Sequence, residues 1–197
     1  MKKIKKSLNS MTNSFHKSFA FLKSKDLPNK NYISKTLDGV DKMNWITTGQ
    51  TNLYAKNHCA AVAETNMFLY YNRENSNDKI KIFKKVHEIV GNGPVFSIDT
   101  SAKKFFKANG YSLFSKKVNN ISNYKEEIEN GHIVAILIAK GIVNWHWILG
   151  VGFREYEDGN FYAQIIDGWN NTSDKFYKLN NDKSWISARS FVKNPND

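Results

Sequence analysis

The sequence predicts an α+β domain whose first half supplies helices and whose second half supplies an antiparallel sheet. Three observations lead there. Residues 59–131 carry helical spacing and helix caps, whereas residues 133–192 carry short apolar runs separated by turn residues. The chain has 197 residues, enough to enclose one core. Its composition is 41% hydrophobic and 14% aromatic, which excludes a disordered chain.

The first 35 residues read as a separate arm with its linker. Ile4, Leu8, Met11, Phe15, Phe19 and Leu22 recur at steps of three and four, one face of a helix. Lysines crowd the other faces, and Pro28, Asn29 and Asn31 end the pattern. Three roles fit residues 1–25: packing on the body or a partner protein, lying on an anionic membrane surface, or covering an active site as a pro-segment. The body spans 36–197. Its helices are expected at 60–71, at 79–90 before Gly91 and Gly93-Pro94, from Thr100 or Ser101 to Gly110, and at 124–130 before Gly131. Strands follow at 133–139, 145–153, 161–167 and 175–179, with a turn at Lys140-Gly141 between the first two.

Charge and cysteine content narrow the function. The net charge is +11, but residues 1–35 hold nine lysines and one acid, so the body is nearly balanced and no nucleic-acid partner is expected. One cysteine excludes a disulfide scaffold and a cysteine zinc cluster. No apolar run reaches the roughly 18–20 residues of a membrane-spanning helix, and polar residues from Asn9 to Lys17 break any secretion signal, so a cytoplasmic protein is expected, with membrane association only through the arm.

Three polar residues stand out. Cys59 opens a helix, where free N–H groups and the helix dipole favour a thiolate; a buried, inert cysteine is the plainer alternative. This placement predicts faster alkylation at pH 6 than an ordinary thiol shows. His146 interrupts the apolar strand Trp145 to Gly152, and a buried imidazole there needs a partner. Asp167 interrupts the apolar run of the next strand. His16 and His87 read as surface residues, His58 as pointing away from the cysteine, and His132 as structural. A tight Asp158-Gly159 turn would set His146 opposite Asn171; a six-residue loop, Arg154 to Gly159, would set it opposite Asp167. The loop, or a bulge restoring its offset, is expected.

Together these residues resemble papain-like cysteine peptidases, and most of all the bacterial double-glycine (bacteriocin-processing) peptidase-like group. Asn57-His58-Cys59-Ala60-Ala61-Val62-Ala63-Glu64-Thr65-Asn66 is similar to the nucleophile helix. His146-Trp147-Ile148 with Gly150 and Gly152 resembles the histidine strand, and Asp167-Gly168-Trp169 resembles the segment bearing the acid. The resemblance covers about residues 45–180, in the order Cys, His, Asp. It departs in one place: the family sets a glutamine six residues before the cysteine, where this chain has Leu53. Gln50 or Asn57 could supply that oxyanion amide instead.

The resemblance implies a papain-like fold and a cysteine peptidase or amidase acting on a peptide or protein substrate. In it Cys59 is the nucleophile, His146 the base, and Asp167 the acceptor that orients the ring. It implies no metal and no organic cofactor. An acyltransferase on the same fold, or a binding module without turnover, uses the same residues and stays open.

Overall fold

The computed structural model describes residues 19–72, 78–93, 95–140, 144–179 and 185–197. The part of the expected arm helix up to residue 18, Pro94 and Gly141 of the expected turn lie outside these residues.

Among the described residues, five α-helices and seven strands follow one another as β1 (Tyr32–Thr36), α1 (Thr48–Thr51), α2 (Cys59–Asn72), α3 (Lys79–Val90), α4 (Asp99–Ala108), β2 (Leu113–Lys117), α5 (Ile121–Glu129), β3 (Ile133–Lys140), β4 (Asn144–Tyr156), β5 (Phe161–Ile166), β6 (Phe176–Leu179) and β7 (Ser187–Lys193). The strands form one antiparallel sheet in the order β2-β7-β3-β4-β5-β6, and β1 continues beyond β3 along the same edge of β4. The architecture is the expected α+β arrangement. The expected helices and the strands β3 to β6 are present, whereas β1, β2 and β7 were not foreseen.

Helix α2 is the centre of the core. Every residue from Ala60 to Tyr70 is buried, which requires apolar or internally satisfied side chains on all faces. Asn66 meets that requirement by clamping one residue: its Oδ1 accepts from Ile46 N at 2.9 Å and its Nδ2 donates to Ile46 O at 3.0 Å. The segment entering α1 is thereby fixed to α2. Against the sheet, the Tyr124 hydroxyl of α5 donates to Gly152 O at 2.8 Å. A Cβ at Gly150 would come within 2.5 Å of that hydroxyl, so this strand position admits only glycine.

The β4–β5 register follows neither expected geometry. The connection is a three-residue turn, Glu157 to Gly159, with Gly159 at φ 79°. Glu155 pairs with Phe161, and a bulge between Gly150 and Gly152 shifts the ladder by one residue, so that Leu149 pairs with Ile166. The bulge is real, but the ladder ends at Ile166. His146 meets Asp167 through the turn beyond the ladder, not as a cross-strand pair.

Residues 19–36 pack on the body. Leu22 exchanges two backbone hydrogen bonds with Phe176, at 2.9 and 2.8 Å, so it extends the sheet edge instead of continuing a helix. Phe19 and Leu27 are buried. Ala20, between Phe19 and Phe21, takes a left-handed φ of 52°, a strained turn for alanine.

Candidate active site

The chain enters α2 through a constrained loop. Asn57 adopts a left-handed φ of 49°, which asparagine tolerates better than most residues, and its carbonyl accepts from Gly93 N at 3.0 Å. His58 is buried, with Nε2 2.7 Å from Thr51 Oγ1 and its ring against Phe83. Burial, and then the neighbouring His87, hold its imidazole below the usual histidine range. The His58 carbonyl closes the first turn by accepting from Val62 N at 3.0 Å. Cys59 is therefore held at the helix start, half-buried.

Burial pushes the Cys59 thiol above its ordinary range, and the nearby backbone N–H groups of Trp147, Ala60 and Cys59 itself oppose this by less. The low proton affinity expected from the helix start is thus corrected: lost hydration outweighs the backbone groups that favour the thiolate. Removing the thiol proton calls for a base.

The Trp147 N–H belongs to the peptide bond joining it to His146, so one of the groups that favour the Cys59 thiolate comes from β4 beside His146. The His146 ring is buried, and its Nε2 lies 2.7 Å from the carbonyl oxygen of Asp167. A carbonyl can only accept, so Nε2 carries the proton and Nδ1 is the basic nitrogen. The resemblance implied that Asp167 meets the ring, and a hydrogen bond from the ring to the Asp167 main-chain carbonyl is present. Trp169 stacks on the imidazole with centroids 3.9 Å apart and planes 11° apart. Phe19 closes the cluster at 6.1 Å from His146 and 6.0 Å from Trp169.

The Asp167 carboxylate is engaged elsewhere. Oδ1 accepts from Trp169 N at 3.0 Å and Asn170 N at 3.1 Å, and Oδ2 pairs with Lys175 Nζ. Gly168 makes the turn at φ 68°, its Cα so close to α2 that a Cβ would lie 3.1 Å from Val62 Cγ1. Its carbonyl accepts from Thr48 N at 2.8 Å, tying α1 to the same turn.

Gln50, on α1, and Asn57, two residues before Cys59, are both exposed. Gln50 forms a capping box with Thr47: its Oε1 accepts from Thr47 N at 3.0 Å, and its own N donates to Thr47 Oγ1 at 3.3 Å. The box uses only the acceptor end of the amide. Of the remaining histidines, His87 Nε2 lies 2.9 Å from Asn92 Oδ1, and His132 Nδ1 lies 2.8 Å from Glu127. Among the described residues no group of three His, Cys, Asp or Glu is placed to hold a metal, and no helix is long and apolar enough to cross a membrane.

Sequence reasoning missed Lys175, Phe19 and the Thr51–His58 link. A lysine at the head of a strand and a phenylalanine in a basic arm look like surface features, and nothing local marks them as buried.

No protein-family model matches the sequence, and no curated protein does. Solved structures match in fold. A C39-like peptidase from Bacillus anthracis aligns with a TM-score of 0.52 at 16% identity, covering 81% of this chain and 98% of that one. The peptidase domain of Streptococcus ComA, a bifunctional ABC transporter involved in quorum sensing, gives 0.45 at 13% identity over 71% and 92% of the two chains. A double-glycine-motif protease from an AMS/PCAT transporter, solved with its leader peptide, gives 0.44 at 12% over 82% and 97%. With helices packed on a seven-stranded antiparallel sheet, and with the Bacillus anthracis structure alike over most of both chains, this chain has the papain-like α+β fold of the C39-like peptidases.

Proposed function

We propose that the protein is a cysteine peptidase or amidase with Cys59 as nucleophile, His146 as general base and acid, and Asp167 as the residue that orients the imidazole. One observation carries this reading. The buried His146 ring is held at Nε2 by the Asp167 carbonyl, on the strand whose Trp147 N–H favours the Cys59 thiolate. Nucleophile, base and orienting acceptor thus come from α2, β4 and the turn after β5.

In this reading His146 Nδ1 takes the thiol proton as the sulfur attacks a carbonyl carbon. The S–C bond forms, and the carbonyl π pair becomes an oxyanion. When the C–N bond breaks, Nδ1 returns the proton to the leaving amine, and a thioester remains on Cys59. Water attacks the thioester with Nδ1 again as base, releasing the acid and the thiol. A base is needed here because burial holds the thiol above its ordinary range.

The Cys59 backbone N–H and one side-chain amide would receive the oxyanion. Gln50 fits better than Asn57, because α1 is bonded to Gly168 in the turn that holds His146 and because its Nε2 lies outside the capping box. Gln50→Ala is expected to lower kcat by roughly 10²–10³-fold, whereas Asn57→Gly, which suits a left-handed φ, changes it little. An equal loss in both variants would move the role to Asn57.

Incubation with a proteome-derived peptide mixture, read by mass spectrometry, tests the reaction. New peptide termini are expected with the native protein and none with Cys59→Ala. Amine adducts appearing only when an amine is added, without hydrolysis in its absence, would replace the peptidase reading with acyl transfer. No product in either case would overturn both.

A further inference from the structure

We propose that Lys175 is a positioning residue for His146, acting through the Asp167 carboxylate, so that the orienting acceptor is a backbone carbonyl held by a buried ion pair. The inference rests on the peptidase reading and adds a residue to it.

Asp167 is 0% exposed and Lys175 is 8% exposed. Their pairing leaves the carboxylate three donors: Lys175 Nζ on Oδ2, and the N–H groups of Trp169 and Asn170 on Oδ1. Those two N–H groups lie just beyond the turn at Gly168. A carboxylate holding them fixes the turn, and with it the direction of the Asp167 carbonyl that meets His146 Nε2. The same carboxylate anchors the main chain of Trp169, whose indole lies flat on the imidazole. Both surfaces that hold the ring, one at its edge and one on its face, are thus set by a single acid group.

Lys175 is itself fixed. Its carbonyl accepts from Ile165 N at 2.9 Å, and its ammonium lies 5.9 Å from the Phe21 ring. Its charge has a second effect. A lone carboxylate behind the ring would favour the imidazolium; a carboxylate neutralised by Lys175 does so far less, and a carbonyl supplies only a dipole. The pairing therefore bears on how readily the ring takes the thiol proton, the first step of the proposed reaction. Among the described residues, Asp167 meets the imidazole through its carbonyl and Lys175 pairs with the Asp167 carboxylate. Cys59 is the nearby titratable thiol, Tyr177 lies beyond Phe21, and Phe19, Phe21 and Trp169 are apolar.

The test is p-nitrophenyl acetate turnover by the full chain as a function of pH. Lys175→Met is expected to lower the rate at pH 7 by roughly 10- to 100-fold through misplacement of the ring. It should also move the acid limb upward, because the uncompensated carboxylate favours the imidazolium. Lys175→Arg should restore both to within a few-fold of the native protein. A purely structural lysine would lower the amount of folded protein without moving the acid limb. If Lys175→Met fails to fold, ¹⁵N NMR of the native imidazole, assigned by difference from His146→Ala, decides instead. The Nε2–H tautomer is expected, and the Nδ1–H tautomer would overturn the proposal. Slowing in His146→Ala together with a native pH profile in folded Lys175→Met would overturn the role of Lys175 alone. No slowing in His146→Ala would overturn the peptidase reading beneath it.

Discussion

Cys59 sits where two effects of opposite sign meet. The N–H groups of Trp147, Ala60 and Cys59 itself stabilise the thiolate, and removal from water destabilises it by more. The helix start was legible in the sequence; the depth of the sulfur was not, because burial is set by β4 packing across it. A raised folded value means a smaller thiolate fraction at any given pH. Iodoacetamide is therefore expected to label native Cys59 more slowly than the unfolded chain at pH 7. The rate should climb only as pH passes above the free-thiol range near 8.5. Fast labelling at pH 6 that is lost in His146→Ala would instead reveal a resting ion pair. His146 and Asp167 were legible as polar interruptions in apolar strands. Which oxygen of Asp167 faces the ring was not, since that depends on a lysine eight residues later.

At the scale of elements, α2 organises the site because it is held on every side. Asn66 clamps both backbone groups of Ile46, a residue with no exposure. Asn66→Ala would leave a buried N–H and a buried C=O without these partners. At about 1–3 kcal/mol for each unmet group, the loss should be roughly 2–5 kcal/mol, measured by urea unfolding. A loss under 1 kcal/mol would show that this clamp is not what holds the entrance to α1. Strands β3 to β6 could be read from apolar runs between turn residues. β1 could not: all five of its residues are exposed, and its pairing is dictated by β4. β2 buries only Leu113, and β7 mixes Ser187, Arg189 and Ser190 into a strand that is paired on both sides. The bulge at Gly150 and Gly152 was equally hidden, since it depends on three strands at once.

For the whole molecule, the helices and the sheet share one core, and a buried acid lies inside it. Glu64 on α2 is fully enclosed, with Oε1 2.5 Å from Ser101 Oγ, and Ser101 Oγ is 3.2 Å from Ile98 O. Burial raises its carboxyl from 4.5 to about 8, the hydroxyl of Ser101 donating to Oε1 and opposing this by less. A folded value above the unfolded one means stability that is full below about pH 4.5. It falls as pH rises, until the loss is complete above about pH 8. The slope within that window approaches 1.4 kcal/mol per pH unit for one group. Glu64→Gln should flatten this part of the profile; an unchanged slope would show that Glu64 ionises normally. The arm was the least legible part of the chain. Its spacing suggested a helix through Leu22, whereas Phe19 and Phe21 close over Trp169 and Leu22 pairs with the sheet edge. The helical pattern and the packing share the same apolar residues, so periodicity alone could not separate them.

The central claim is that His146 activates Cys59. Because Cys59 is the only cysteine, acetylation of the thiol by p-nitrophenyl acetate can be followed as a single mass shift on the intact protein. At pH 7 one acetyl group is expected on Cys59, absent in Cys59→Ala, with His146→Ala slowing its appearance by roughly 10²–10⁴-fold. Equal rates in the native protein and His146→Ala, both folded, would contradict the account.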